Sequence, residues 1–203
     1  MKSPKNYFKE FVAVTILSCV YSSCGHTSSN EQKEIDIPIN IIQEANLFVV
    51  SKTGAEFFHN YISLDKIKTK HSPPNYQMVY NLFIPEKPYV KALITFTVDN
   101  SGTVIETRDI LGIPNCNKYP ALCDWQIDKD SAVTIAEVQG LEKGIKDWKI
   151  TFLWNPERQM YVWRILTTLR EFQGDFGYRG SGKEMLINPA SGDVLALNGW
   201  QIN

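Results

Sequence analysis

The sequence predicts an α+β protein made of two tandem units, each a helix packed on an antiparallel sheet, with the helix followed by three to four strands. Three observations carry this prediction. Hydrophobic spacing switches from helical to alternating twice along the chain, each alternating series closes with a glycine-containing turn, and the two series follow the same order about 90 residues apart. The expected organisation is a signal segment over 1–23, a tether over 24–37, a first α+β unit over 38–111, a cysteine-containing linker over 112–127 and a second α+β unit over 128–203. Two sheets side by side or back to back both suit this pattern, and one continuous sheet carrying both helices is the competing arrangement.

The second unit has the clearer signals. Asp128, Asp130 and Ser131 supply capping groups before Ala132, Ile135 and Ala136, which recur at i, i+3 and i+4. Gly140 ends this helix after about three turns, because glycine accepts the left-handed conformation that closes a helix. From Ile145 the period becomes two: Trp148, Ile150, Phe152 and Trp154 share one face, and Asp147, Lys149 and Thr151 the other. Asn155-Pro156-Glu157-Arg158 forms a turn, and Gln159 to Leu169 repeats the alternation with Tyr161, Trp163, Ile165 and Leu169 on one face. A polar, glycine-rich connection over Gln173 to Gly182 is expected to be a loop. Lys183 to Asn188 and Asp193 to Leu197 then flank the turn Pro189-Ala190-Ser191-Gly192.

The first unit is a weaker copy. Ile41, Ile42, Ala45, Phe48 and Val49 stand at helical spacing within Pro38 to Lys52, and Gly54 ends the run. Phe57 to Lys68 is read as a first strand, Tyr76 to Ile84 and Ala92 to Val98 alternate, and Asp99-Asn100-Ser101-Gly102 closes a hairpin onto Thr103 to Arg108.

Helix, strand, strand, strand, turn and strand, opened by Asp130-Ser131-Ala132 through Ile135-Ala136 and Gly140 and closed by Ile187-Asn188-Pro189-Ala190-Ser191-Gly192-Asp193-Val194-Leu195, resemble the PepSY and PepSY-like domains over roughly residues 128–200. The family's usual aspartate before the final turn is Asn188 here, with Pro189 after it. The resemblance implies a small bacterial module of the cell envelope or of a peptidase propeptide, with an inhibitory role towards a peptidase.

At the N-terminus, Lys2, Lys5 and Lys9 precede the apolar run Phe11 to Leu17, which is too short to span a bilayer and has the form of a secretory signal. Ser18-Cys19 and Ser23-Cys24 each place a small residue before a cysteine, as lipoprotein signal cleavage requires. Ile16, three residues before Cys19, favours that site. The length of the apolar region, and the three cysteines left after cleavage at Cys24, favour Cys24 as the lipidated residue. A plain cleaved signal without lipid is the remaining reading. Residues 25 to 37 hold few large apolar groups and read as a tether. Cleavage before Cys24 removes three lysines and one glutamate, leaving 18 basic and 21 acidic residues, a charge of −3 that disfavours nucleic acid as a partner. The roughly 170 residues that follow are sufficient for a sizeable core.

The linker holds Cys116 and Cys123, for which a disulfide is the expected state in an exported protein. Two thiolates without a second Cys or His pair fall short of a zinc site, and Cys-x6-Cys is not the spacing of a redox pair. Asp124, Asp128 and Asp130 lack the central glycine and terminal glutamate of a calcium loop. Of the three histidines, His26 lies in the tether, and neither His-Glu-x-x-His nor Gly-x-Ser-x-Gly occurs. Gly177 to Lys183 matches the spacing of a phosphate-binding loop, but Glu184 replaces the required Ser or Thr and a strand follows instead of a helix.

The residues therefore point to no catalytic constellation, metal or cofactor. Trp148, Trp154 and Trp163, with Phe152 and Tyr161, fall on the faces that alternation makes buried, so core packing is their first reading. The second is a partly open sheet face on which Trp154, Tyr161 or Trp163 binds a peptide or protein. Three classes of function follow: a non-enzymatic envelope lipoprotein that binds a protein or peptide, with modulation of a peptidase implied by the resemblance; a structural or accessory envelope protein without a ligand; and an enzyme of unrecognised type. The expected location is the bacterial cell envelope, anchored to a membrane by N-terminal lipid and facing the periplasm or the exterior.

Overall fold

The structure is a computed structural model that describes residues 34–174 and 177–202. Cys19, Cys24, the signal segment and most of the tether lie outside these residues. The first helix, α1, spans Ile39–Thr53 and buries Ile41, Ala45, Val49 and Thr53, one residue per turn. That stripe packs with Met78, Tyr80, Leu82, Ile94, Phe96 and Val98, the alternating residues of β3 (Asn75–Phe83) and β4 (Lys91–Val98). β3 is central in the first sheet: β4 pairs along one side, and β1 (Ile62–Leu64) and β2 (Lys70–Ser72) share the other, all antiparallel. The predicted tether ends sooner than expected, because Ile37 is buried and Ile35 packs against the same core.

Two elements of the first half differ from expectation. Phe57 to Lys68 is not one strand. A second helix, α2 (Ala55–Tyr61), restarts at Gly54, whose φ of +84° interrupts the helical path. Phe57 and Tyr61 meet edge to face one turn apart, 5.1 Å between centroids, and Phe57 and Phe58 also reach Trp125 and Tyr80, respectively. Aromatic side chains with strand propensity are thus held helical by tertiary packing. The strand β1 follows, and an Asp65-capped turn separates it from β2: the Asp65 carboxylate accepts the Lys68 amide at 3.0 Å, and the Thr69 amide donates to the Asp65 carbonyl at 2.9 Å.

The second difference concerns Thr103 to Arg108, which forms no strand. The Asp99–Gly102 turn does form, with the Asp99 carboxylate accepting from the amides of Ser101 and Thr103. Beyond it, contact with β4 is reduced to single bridges at Val98–Val104 and Thr95–Leu111 and a hydrogen bond from the Ile105 amide to the Thr97 carbonyl. Gly102, at φ +90°, lies against α1, where an added Cβ would come within 2.8 Å of the Glu44 Cβ.

The second half follows the predicted order more closely. α3 (Lys129–Val138) starts at Asp128, whose side chain accepts the Ser131 amide at 2.8 Å. It closes at Gly140, at φ +73°, with the Leu141 amide donating to the Ala136 carbonyl. A four-stranded antiparallel sheet follows in chain order: β5 (Lys149–Asn155), β6 (Met160–Gly174), β7 (Gly177–Ile187) and β8 (Val194–Ile202). Ala132 and Ala136, both fully buried, bring α3 close onto Trp163, Ile165, Met185 and Ile187. The loop expected over Gln173 to Gly182 is instead paired strand: β6 and β7 stay in register out to Gly174–Gly177 after a shift between Thr168 and Arg170. At the other end Asn188 takes the part of the missing aspartate, its side-chain oxygen accepting the Ala190 amide at 2.9 Å.

Because Ala136 is fully buried where α3 meets the second sheet, Ala136→Leu is expected to destabilise the protein by about 1–3 kcal/mol. Val138→Ala, on the exposed side of α3, should change stability by no more than about 0.5 kcal/mol. Urea unfolding followed by tryptophan fluorescence distinguishes the two.

Candidate functional site

The linker between the halves is held from both sides. Lys87 Nζ and the Tyr89 hydroxyl donate to the Trp125 carbonyl at 2.7 and 3.1 Å. From the second sheet, Trp163 Nε1 donates to the Ile127 carbonyl and the Tyr161 hydroxyl to the Gly112 carbonyl, both at 2.8 Å. Between these anchors Trp125 is almost completely buried, with its ring 5.4 Å from Phe152 and 5.3 Å from Tyr161. Tyr89 packs on Phe152 and Trp163 and completes an aromatic joint between the two sheets. Gly112 is required there: at φ +77°, any Cβ would lie 2.1 Å from the Leu93 carbonyl oxygen. Burial pushes the Tyr161 hydroxyl far above its ordinary range, so it stays a neutral donor.

These positions correct one expectation. Tyr161 and Trp163 are 1% and 2% exposed and their polar atoms are committed to linker carbonyls, so neither forms a partner-facing surface. Trp154 is half-buried at the edge of the joint, 5.2 Å from the Tyr161 ring, and its Nε1 has no hydrogen-bond partner among the described residues. The alternation had placed all three on the inward face, and that face is covered by the linker and the first half of the chain.

Cys116 and Cys123 are placed as a disulfide pair, their Cα atoms 5.6 Å apart. The loop they close also serves α1, since the Asn117 amide and its side-chain nitrogen donate to the Lys52 and Ser51 carbonyls at 2.9 and 3.3 Å. Those are carbonyls that the helix end leaves without intrahelical donors.

The opposite face of the second sheet carries no helix among the described residues. It holds a groove of about 400 Å³ lined by Lys146, Lys149, Arg164, Tyr178, Glu184 and Trp200. Arg164 Nε pairs with Glu184 at 2.7 Å, and Lys146 pairs with Glu171 at 2.7 Å while standing 5.9 Å from the centre of the Tyr178 ring. Glu171 holds the Lys146 ammonium above its ordinary pKa. Among the described residues no ion pair engages Lys149.

The glycines of β7 shape this groove. Trp200 crosses Gly182 to donate from Nε1 to the Thr167 carbonyl at 2.9 Å, and a Cβ on Gly182 would lie 1.8 Å from that carbonyl oxygen. Tyr178 lies over Gly180 in the same way, its hydroxyl 2.9 Å from where a Cβ would be. A glycine-rich run that looked like a loop is therefore a strand whose missing side chains are replaced by neighbouring rings. The readable signal was glycine at 180 and 182 beside aromatic residues at 178 and 200. With Gly177 to Lys183 in an extended strand, its amides do not form a phosphate cradle.

His59 lies against Phe58 on α2 and His71 stacks on Tyr76 across β2 and β3, on separate elements. Among the described residues no group of three or more His, Cys, Asp or Glu is placed to hold a metal ion, and no helix is long and apolar enough to cross a membrane. No family model matches the chain, and no curated protein matches it.

Replacing both Cys116 and Cys123 by serine is expected to lower stability by roughly 2–3 kcal/mol, the chain-entropy value for so short a loop. Denaturant unfolding of the oxidised parent and the double variant measures the difference.

Proposed function

We propose that this protein is a non-enzymatic lipoprotein of the bacterial cell envelope that binds a protein or peptide partner, its second half acting as a PepSY-like module. The observation that carries this reading is the groove on the open face of the second sheet. It offers two amphipathic rings, Tyr178 and Trp200, on paired strands, together with Lys149, which no ion pair engages among the described residues. Lys146 is matched by Glu171 and Arg164 by Glu184, so an extended segment of apolar side chains with an acidic group to meet Lys149 suits it. Modulation of a peptidase is the part of the proposal that rests on resemblance, and the groove supports the binding role alone.

Lipid anchoring at Cys24, with Cys19 as the other acceptor, belongs to the same proposal. Metabolic labelling with an alkyne fatty acid is expected to mark the parent protein and Cys19→Ala but not Cys24→Ala. Loss of label only in Cys19→Ala would move the anchor, and an unlabelled parent would remove it.

Binding is tested by a photo-crosslinking amino acid placed at Lys149 or Tyr178 of the full chain in its native envelope. A discrete adduct is expected at both positions and none at Val138, which is 78% exposed on α3, away from the groove. Equal yields at all three positions, or no adduct at 149 and 178, would overturn the reading.

A further inference from the structure

The first sheet buries one face. α1 and the aromatic joint pack on the side of Met78, Tyr80, Leu82, Ile94 and Phe96, and the alternate residues of β3 and β4 point away from that core. An antiparallel sheet with one solvated face ordinarily carries polar groups there. Here the outward set includes Phe83 and Leu93, and Leu111 joins it through its bridge to Thr95; the three are 45%, 42% and 39% exposed. Phe83 is paired with Lys91 and Leu93 with Asn81, so Phe83 and Leu93 are diagonal neighbours. Leu111 stands diagonal to Leu93 in turn, and the three form one oblique apolar strip.

Two lysines border the strip. Lys91 lies opposite Phe83 and Lys70 opposite Gln77, which puts both on the outward face, and among the described residues no ion pair engages either. The acid beside them is already matched: the Asp65 carboxylate accepts from Lys68 Nζ at 2.8 Å and from Asn81 Nδ2 at 3.2 Å. Further along the face, Arg108 and Asp109 line one shallow hollow with Thr95 and Thr97. At the edge of the sheet, Ile67 is 53% exposed between Lys66 and Lys68 in the turn that joins β1 to β2.

The chain enters the fold at this same edge. Glu34, the first described residue, pairs with Lys66 at 3.0 Å. It follows Cys24 by ten residues, a length that spans at most about 35 Å when fully extended. A lipid on Cys24 keeps this edge of the sheet within that reach of the bilayer. We infer that the outward face of the first sheet is a membrane-docking surface. Phe83, Leu93 and Leu111 enter the boundary between headgroups and acyl chains of the anchoring bilayer, and Lys70 and Lys91 meet the phosphates of anionic phospholipid. The inference rests on the lipid anchor proposed at Cys24, and it leaves the groove of the second sheet to the protein or peptide partner.

The test uses the full-length protein, extracted in detergent and reconstituted into vesicles of phosphatidylethanolamine with phosphatidylglycerol or of phosphatidylcholine alone. In the anionic vesicles, a nitrobenzoxadiazole dye on Leu93→Cys is expected to be quenched by spin-labelled lipid several-fold more strongly than the same dye on Leu47→Cys. Leu47 is 60% exposed on α1, which covers the opposite face of the sheet. Circular dichroism checks that the variants are folded. Lys70→Gln and Lys91→Gln should each lower the ratio of docked to free protein by about fivefold, and docking should be weaker on phosphatidylcholine. The alkyne fatty-acid label reads the anchor separately. Labelled protein whose position 93 is quenched no more than position 47 overturns the inference and leaves the anchor standing, whereas an unlabelled parent removes both. Docking indifferent to lipid charge would also overturn the inference. So would a photo-crosslinker at position 93 that joins a protein, and no phospholipid, in the native envelope.

Discussion

Both halves of this fold close on one short segment of backbone. The carbonyl of Trp125 takes hydrogen bonds from Lys87 and Tyr89 in the first half, and the carbonyl of Ile127, two residues on, takes one from Trp163 in the second. The Trp125 ring sits among Phe57, Phe152 and Tyr161. A linker in this position would bury carbonyls at a cost of about 1–3 kcal/mol each if they were left unpaired. The polar ends of large aromatic side chains satisfy them, while the rings supply the apolar contact area. The first core accordingly takes in Trp125 and Tyr161 and is completed by residues outside its own sheet.

That constraint limits where the proposed partner has room. Tyr161 and Trp163 have their inner face occupied by the linker and by α3, so the proposed binding surface is the other side of the same sheet. There Arg164, Leu166 and Glu184 alternate with the buried residues on β6 and β7. The extension of β6 and β7 beyond the part covered by α3 carries Tyr178 outwards, and Trp200 on β8 is laid flat across Gly182 to form part of the groove wall. Rigidity at such a site comes from the ladder of backbone pairing, which keeps the amphipathic rings oriented at little further entropic cost.

Much of the second half was legible in the sequence. Asp128 and Gly140 bound α3, and the alternation through Trp148 to Trp154 and Tyr161 to Ile165 places the right residues inward, because caps and period-two patterns are local signals. The Asn188 turn was equally readable. What the sequence by itself determined is therefore the α+β class, the helix ends and the inward faces of the strands. Tertiary structure decided the rest. Phe57 and Tyr61 became helical because Trp125 lies beside Phe57, and Gly180 and Gly182 became strand because Tyr178 and Trp200 fill the space their missing side chains leave. Which aromatics remain outside was decided in the same way: inward alternation does not say what covers a face, and the covering linker is distant from Tyr161 and Trp163 along the chain. Each of these outcomes rests on contacts between residues far apart in sequence, and no local period encodes such contacts.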